Sequence, residues 1–243
     1  MGVTVLIPAR LGSSRFPGKV LAAETGRPLI QHVYESAAQA PGVDRVVVAT
    51  EDTEVIEACR AFGGESVLTG RHENGTSRLA EAASLLGLST DHVVVNVQGD
   101  EPELEPAIIG AAASMVGPFD CGTVATPITR DSEAQNPNVV KALIAPGGRA
   151  LCFSRATVPH DRDRAGVPRF RHVGIYAYTA GFLAEYAAMV PTPLEQAERL
   201  EQLRILEHGR TIGIAVRASS HAGIDTPEQY AAFVKRWRAM NSG

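Results

Sequence analysis

The segment VTVLIPARLGSSRFPGK, residues 3–19, decides the fold that this chain can adopt. It joins a mostly apolar, β-branched run, Val3–Ile7, to a loop of glycines, serines and cations. Two further apolar runs with many β-branched residues follow at similar spacings, Val46–Thr50 and Val93–Val97. Because these runs are nearly continuous rather than alternating, they predict strands that are buried on both faces of a sheet.

Helical patterns separate the three runs, at Pro28–Ala40, Thr53–Phe62 and Ser77–Leu86. Strand–helix–strand units of this length form right-handed crossovers, which place the strands side by side and parallel. The sequence therefore predicts an α/β fold with a mostly parallel central sheet flanked by helices. In such sheets ligands bind beyond the carboxyl ends of the strands, so the segments that follow the three apolar runs are the candidate site.

The second half of the chain has shorter elements. We expect strands at Gly122–Pro127, Val139–Ile144, Ala150–Ser154, His172–Ala180 and Thr211–Val216, helices at Gly181–Val190, Glu198–Glu207 and Pro227–Met240, and a charged loop at Asp161–Arg171. No linker or repeat interrupts them. The prediction is one domain, residues 1–243, with a smaller mixed-sheet elaboration at about residues 120–195.

Composition excludes several classes of protein. The chain has 243 residues and a formal net charge of −4, which argues against nucleic acid as a partner, since its phosphates need clustered cations. The three cysteines lie far apart, which excludes a disulfide framework and fits a reducing compartment. No apolar run approaches the roughly 20 residues of a membrane span, and the N-terminus lacks the basic segment of a secretion signal. We expect a cytoplasmic protein with no membrane partner.

The loop PARLGSSRFPGK, residues 8–19, has the composition of an anion-binding loop. Its glycines and serines, Ser13 among them, leave backbone N–H groups that can turn toward an anion. Arg10, Arg15 and Lys19 bring three cations to the same place, which suits a polyphosphate. The loop is not a Walker A motif, because Val20 stands where that motif has the Ser or Thr that binds magnesium. An ordinary solvated surface loop is the alternative.

Two acidic positions could hold a divalent cation. Asp100 lies in NVQGDEP, residues 96–102, where a buried strand delivers its next residues to the ligand crevice. Mg²⁺ takes one or two carboxylates together with phosphate oxygens and water. Asp225 lies in GIDTPEQ, residues 223–229, and could fold back to complete the site. The alternatives are a turn at Asp100 and an ordinary helix start at Asp225.

Further polar residues occur in HENGTSRLAE, residues 72–81, and in the basic stretches around residues 153–164 and 171–178. Helix capping explains the Thr and Gly of the first segment but not His72 or Arg78. Arginines in the basic stretches could bind an anionic substrate in bidentate fashion, and solvated surface charge is the alternative.

Taken together, these motifs resemble one family. The chain resembles the CMP-Kdo synthetases, the 3-deoxy-manno-octulosonate (Kdo) cytidylyltransferases. Nearly the whole chain carries the family's motifs in order: PARLGSSRFPGK, NVQGDEPEL, ATPI, NPNVVK, FSRATVP with DRDR, RHVGIYAY, LEQLRILEHG and GIDTPE. The resemblance implies a Rossmann-like nucleotidyltransferase fold. It also implies a homodimer and the Mg²⁺-dependent reaction of CTP with Kdo to give CMP-Kdo and pyrophosphate, a step in lipopolysaccharide biosynthesis.

The resemblance also assigns roles to individual positions. It implies that the triphosphate is held by Arg10, Ser13, Arg15 and Lys19, with help to the nucleotide from Arg78. Asp100 and Asp225 would bind Mg²⁺, and Lys19, Arg15 and Asp100 would act in catalysis. The sugar-acid pocket would be lined by Gln98, Arg155, His172, Tyr176, Glu201 and Gln202.

Two positions depart from the family pattern, and rival functions remain open. Ser77 replaces the usual acidic residue before Arg78, and His160 stands where the family usually has Trp. A rival of the same chemistry is a cytidylyltransferase for 8-amino-Kdo or a sialic acid. Rivals of other classes are a non-catalytic nucleotide sensor and a glycosyltransferase that uses the DRD at Asp161–Asp163 as a metal motif.

Overall fold

The computed structural model describes residues 2–13, 15–72, 74–219 and 223–241. Its strands are β1 Val3–Ala9, β2 Arg45–Thr50, β3 Ser66–Leu68, β4 Val93–Asn96, β5 Cys121–Pro127, β6 Lys141–Ile144, β7 Ala150–Ser154, β8 Phe170–Thr179 and β9 Ile212–Val216. Its helices are α1 Leu29–Ala38, α2 Thr53–Ala61, α3 Gly75–Leu85, α4 Pro106–Ala113, α5 Asp131–Gln135, α6 Ala180–Ala188, α7 Pro193–Glu198, α8 Gln202–Glu207 and α9 Pro227–Asn241. A short 3₁₀ turn covers Lys19–Leu21.

The strands form one sheet in the order β3-β2-β1-β4-β8-β5-β9. β1 pairs in parallel with β2 and β4, and β5 pairs in parallel with β9, whereas β8 runs antiparallel to both of its neighbours. The β6–β7 hairpin joins the side of this sheet through β8. The predicted α/β fold with a mostly parallel sheet is confirmed, and its mixed part is continuous with the central sheet.

The position of β1 decides where the site forms. β1 lies between β2 and β4, and Leu6 is in register with Asn96 near the end of β4. Chain connections therefore leave the sheet in opposite directions from this point, which opens a crevice at the carboxyl ends of β1 and β4. The two loops with the strongest sequence signals both begin there.

Successive side chains of β1 are buried on opposite faces of the sheet. Val5 and Ile7 join a core cluster with α1, α2 and α4, and Leu6 joins a second cluster with α3 and α6. All three side chains are fully buried, as the continuous apolar run predicts. α9 packs by Tyr230 and Phe233 against α1, and this packing returns the C-terminal segment to the crevice.

One helix boundary differs from the prediction. The expected helix Glu198–Glu207 begins only at Gln202, as α8, because the separate helix α7 ends at Glu198 and Arg199 adopts left-handed backbone angles, φ 54° and ψ 49°. No Gly or Pro marks this break, and Arg199 O accepts a long-range contact from Arg155. Sequence patterns also missed β3, α4, α5 and α7, and β8 begins at Phe170, inside the expected loop.

Gly122 of β5 allows a close approach of α4. A Cβ atom there would lie 2.1 Å from Ala112 O, a backbone atom that cannot move alone. We expect Gly122→Ala to lower the free energy of unfolding by about 1–3 kcal/mol, measured by urea denaturation. Gly174→Ala in β8 is the control, because a Cβ there meets nothing within 4 Å. Equal losses in the two variants would contradict this account of the β5–α4 contact.

Candidate functional site

The loop after β1 folds back on itself and presents Lys19. Leu11 O accepts hydrogen bonds from the backbone N–H groups of Ser13 and Gly18, both at 2.9 Å. The turn closes at Gly18, whose φ of 70° is readily adopted by glycine. Leu11 N donates to Asp52 Oδ2 at 2.7 Å, which ties the loop to the end of β2. Lys19 then begins the 3₁₀ turn with its side chain directed inward and largely buried.

A cleft of about 430 Å³ opens at the carboxyl ends of β1 and β4. It brings together all the residues expected to bind nucleotide or metal, from four distant parts of the chain. They are Arg10, Ser13, Arg15, Lys19, Arg78, Asp100 and Asp225, with Gln98 beside them. We call this cleft the cation cleft.

Opposite charges meet at the centre of the cation cleft. Lys19 Nζ lies 2.5 Å from Asp100 Oδ2 and 3.5 Å from Asp225 Oδ1, and it donates to Ile224 O at 2.9 Å. Arg15 Nη2 lies 2.8 Å from Asp225 Oδ1, at a more exposed position. A single ammonium group therefore links two carboxylates that come from separate elements.

Asp225 is free to face the cleft because its neighbour performs the helix capping. Gln229 Oε1 accepts from the backbone N–H groups of Asp225 and Thr226, at 2.7 and 3.0 Å. Thr226 Oγ1 accepts from Gln229 N at 3.4 Å. This reciprocal pattern is a capping box at the start of α9, so the helix start and the acidic site residue are both present.

The two aspartates fit a hard divalent cation when phosphate is present. Mg²⁺ is held by one or two carboxylates plus substrate phosphates and water, rather than by a complete protein cage. Asp100 and Asp225 supply two carboxylates to the cation cleft, which matches this requirement. Within residues 2–13, 15–72, 74–219 and 223–241, no group of three His, Cys, Asp or Glu side chains could hold a metal by itself.

Arg78 lines the cation cleft from its buried side. Its Nη1 donates to Thr69 Oγ1 at 2.7 Å, and its Nη2 lies 3.4 Å from Glu51 Oε2. The guanidinium is therefore fixed before any ligand arrives. Ser77, the departure from the family pattern, lies in the first turn of α3 and contacts His72 Nδ1 at 3.0 Å.

A second cleft of about 270 Å³ adjoins the first. Four of the six predicted sugar-pocket residues line it: Gln98, Tyr176, Glu201 and Gln202. Gly75 and Gln98 line both clefts, so the two spaces meet at the end of β4 and the start of α3. We call this space the aromatic cleft, because Tyr178 and Tyr186 complete its wall.

His172 lies behind Tyr176 rather than in the aromatic cleft. Its ring contacts Tyr176 and Phe153, with centroids 5.4 and 4.9 Å apart. Thr123 Oγ1 donates its proton to Ile175 O at 2.6 Å, so it accepts from His172 Nε2 at 2.9 Å. Burial lowers the pKa of His172 to about 3. The ring is therefore neutral, with its proton assigned to Nε2.

Arg155 lies outside both clefts. Its guanidinium donates to backbone carbonyls, to Glu198 O at 2.7 Å and to Pro137 O at 3.1 Å. The carboxylate of Asp161, in the DRD segment, stabilises its own loop, because it accepts hydrogen bonds from the backbone N–H groups of Ala165 and Gly166. Asp161 does not line the cation cleft, which leaves the glycosyltransferase hypothesis without a metal site there.

Sequence reasoning missed several lining residues. In the aromatic cleft these are Thr76, Asn96, Tyr178, Tyr186, Arg199 and Leu200. Asn96 could have been predicted, because it is the one polar residue near the end of the third apolar run, where ligands bind beyond the sheet. Tyr178 and Tyr186 have the composition of ordinary core residues, and nothing in their spacing indicates a cleft.

Comparisons with known proteins agree with this geometry. A family model described as cytidylyltransferase matches residues 4–212. A Vibrio cholerae protein named 3-deoxy-manno-octulosonate cytidylyltransferase is 48% identical over 239 residues, covering 94% of each chain. A Shewanella pealeana protein named 8-amino-3,8-dideoxy-manno-octulosonate cytidylyltransferase is 45% identical over 233 residues, covering 94% of this chain and 95% of its own.

A solved structure gives the same result for the fold. It is described as CMP:2-keto-3-deoxy-manno-octonic acid synthetase complexed with CTP. It matches with a TM-score of 0.89 and 38% sequence identity, covering 100% of this chain and 99% of its own. In the part of the chain that the structure describes, no helix has the length and apolar character needed to span a membrane.

The lowered pKa of His172 predicts a specific loss of stability in acid. In the unfolded chain the His172 ring takes up a proton below about pH 6.5. In the folded chain the same ring stays neutral until the pH falls to about 3. Stability therefore falls as the pH falls through this window. Between pH 7.5 and 5.0 the wild type should lose about 2 kcal/mol more than His172→Gln, measured by urea denaturation. Exposed His160→Gln is the control, and equal losses in all three proteins would contradict the burial of a neutral ring.

Proposed function

The chain belongs to the cytidylyltransferase family, and we propose that it transfers the cytidylyl group of CTP to the anomeric hydroxyl of Kdo, releasing pyrophosphate. The observation that carries the proposal is the meeting of two clefts at Gly75 and Gln98. One cleft is lined by four cations and two aspartates, and the other by polar and aromatic groups that include Arg199 and Glu201. This arrangement suits a polyphosphate beside a sugar. The similarity to the Vibrio cholerae Kdo cytidylyltransferase supports this choice of acceptor.

In this proposal the cation cleft binds the triphosphate. Arg10 and Arg15 neutralise the outer phosphates from exposed positions, and Lys19 contributes a charge held inside the cleft. Charges fixed before the reaction stabilise a leaving pyrophosphate without reorganisation. Arg78 adds a fourth cation, which is buried in the wall of the cleft.

The aromatic cleft would bind the sugar acid. Gln98 lies at the junction, where the anomeric hydroxyl must approach the α-phosphorus in line with the departing oxygen. Glu201 and Gln202 offer side-chain acceptors and donors for sugar hydroxyls, and Tyr176 forms an apolar wall. The chain places the two reactants and neutralises charge, so it needs no covalent intermediate.

Mg²⁺ is the cofactor that we propose, held by Asp100 and Asp225, where it would neutralise phosphate charge and increase the acidity of a bound hydroxyl. Assembly into a homodimer and a cytoplasmic location stay predictions. The second candidate acceptor is 8-amino-Kdo, which the name of the Shewanella pealeana relative supports. The convergence of Lys19, Asp100 and Asp225 supports an enzyme over a nucleotide sensor, since binding alone does not require these charges.

The acceptor is tested by pyrophosphate release from CTP and Mg²⁺ with Kdo, 8-amino-Kdo or N-acetylneuraminate in parallel. We expect the highest kcat/KM with Kdo and no release after EDTA is added. A higher kcat/KM with 8-amino-Kdo would transfer the proposal to that sugar. No pyrophosphate release with any of the three acceptors would contradict the proposal. Undiminished pyrophosphate release in EDTA would exclude the metal from the mechanism.

Loss of a charge at the centre of the cation cleft should slow the reaction. We expect Lys19→Ala and Asp100→Asn each to lower kcat/KM by about 10²–10³-fold, the usual effect of removing one preorganised charge. The matched controls are Lys235→Ala and Asp91→Asn, which alter exposed residues away from both clefts. Wild-type turnover in either cleft variant would exclude that residue from the mechanism.

A further inference from the structure

We propose that Tyr230 of α9 is a positioning residue for the nucleotide site, because it holds the loop that carries Arg15 and Lys19 against the helix that begins beside Asp225. The inference rests on the proposed function, since it assigns a role within the same cleft. Tyr230 lines neither cleft. It therefore acts on the cation cleft through its neighbours, without touching a substrate.

The side chain of Tyr230 contacts the loop on both sides of Lys19. Its ring packs against Phe16, with centroids 5.6 Å apart. Its hydroxyl oxygen accepts a hydrogen bond from Glu24 N at 2.9 Å, which gives this buried side chain a polar partner. Because Phe16 precedes Lys19 in the chain and Glu24 follows it, one side chain holds the whole segment that presents the ammonium group.

Arg238, further along α9, binds the same loop. Its Nη2 donates to Glu24 O at 2.7 Å. The N–H and the C=O of Glu24 are therefore both bound by side chains of one helix, whereas the Glu24 side chain is exposed. These two bonds fix the loop backbone relative to α9. We call the contacts of Tyr230 and Arg238 with Phe16 and Glu24 the loop–α9 link.

Asp225 is placed by the same packing. Ile224, the residue before it, is buried in one apolar cluster with Tyr230. The backbone N–H of Ile224 donates to Asp100 O at 2.8 Å. Asp225 therefore lies between an anchored residue and the first turn of α9. Since Tyr230 contacts both this cluster and the loop, it sets the position of the loop cations relative to Asp225.

The charged groups alone do not fix this arrangement. Arg15 Nη2 and Lys19 Nζ lie 2.8 and 3.5 Å from Asp225 Oδ1, but the side chains of Arg15 and Asp225 are exposed. Exposed ion pairs contribute little to placement. The buried contacts of Tyr230 therefore supply the order that phosphate binding needs. A displacement of about 1 Å in a positioned group can cost on the order of 10²-fold.

The residues of the aromatic cleft lie on other elements. Tyr176, Glu201 and Gln202 belong to β8 and to the start of α8, and the loop–α9 link includes no contact with them. Loss of the link should therefore weaken the binding of CTP and leave the sugar-acid site unchanged.

Steady-state kinetics of Tyr230→Leu, Phe16→Leu and the double variant test the link. Leu keeps an apolar side chain at each position but removes the ring contact. We expect Tyr230→Leu to raise KM for CTP by about 10- to 100-fold and Phe16→Leu to raise it by less, with KM for the sugar acid near the wild-type value. The double variant should be no more impaired than Tyr230→Leu, because both changes remove one coupled contact.

Trp237→Leu is the matched control. Trp237 also lies on α9, but its ring contacts His32 of α1, with centroids 5.6 Å apart, rather than the loop. We expect this variant to keep the wild-type KM for CTP. An equal rise in Trp237→Leu would mean that only the general packing of α9 matters, and it would overturn the proposal. An equal rise in KM for the sugar acid in Tyr230→Leu would also overturn it.

Amide hydrogen exchange of the substrate-free protein gives a readout that does not depend on activity. Tyr230→Phe removes only the acceptor for Glu24 N. We expect the Glu24 amide to exchange about 3- to 10-fold faster in this variant, with the buried strand β1 still protected. Unchanged exchange at Glu24 would overturn the link. If the wild type releases no pyrophosphate while exchange at Glu24 rises as expected, the proposed function fails and the loop–α9 link stands.

Discussion

The ion triad of Lys19, Asp100 and Asp225 is the interaction on which the site depends. Two carboxylates at one cleft repel each other, and a buried ammonium needs partners to offset its lost hydration. Each group therefore makes the placement of the others acceptable. The triad forms because β1 and β4 are neighbours in the sheet and α9 returns the C-terminal segment to their carboxyl ends. The same arrangement supplies cations for phosphate and carboxylates for a divalent metal.

The aromatic cleft depends on a different set of contacts. Its floor comes from β4 and β8, which the central sheet holds side by side. Its outer wall comes from the segment between α7 and α8, which has little regular structure of its own. That wall is placed by polar contacts with β7 and by the Arg204–Glu195 ion pair within the α7–α8 unit. The nucleotide side is therefore set by the core, and the sugar side by hydrogen bonds near the surface.

These differences explain which features could be predicted from the sequence. β1, β2 and β4 are buried on both faces, so their apolar runs identified them. The loops after β1 and β4 contained most of the charged residues of the cation cleft. The break at Arg199 could not be predicted, because no Gly or Pro marks it and the side chain that contacts Arg199 O belongs to Arg155, distant in sequence. The position of Arg155 itself could not be predicted either. An arginine that binds backbone carbonyls and one that binds a substrate carboxylate look the same in a sequence.

The most direct test of the account is a ³¹P NMR spectrum of the reaction of CTP and Kdo with Mg²⁺ and the purified protein. Two adjoining clefts that place the sugar hydroxyl against the α-phosphorus predict a sugar phosphodiester and pyrophosphate in equal amounts. Formation of CMP and pyrophosphate without the phosphodiester would mean that water, not the sugar, reaches the α-phosphorus. That result would contradict the assignment of the aromatic cleft as the acceptor site.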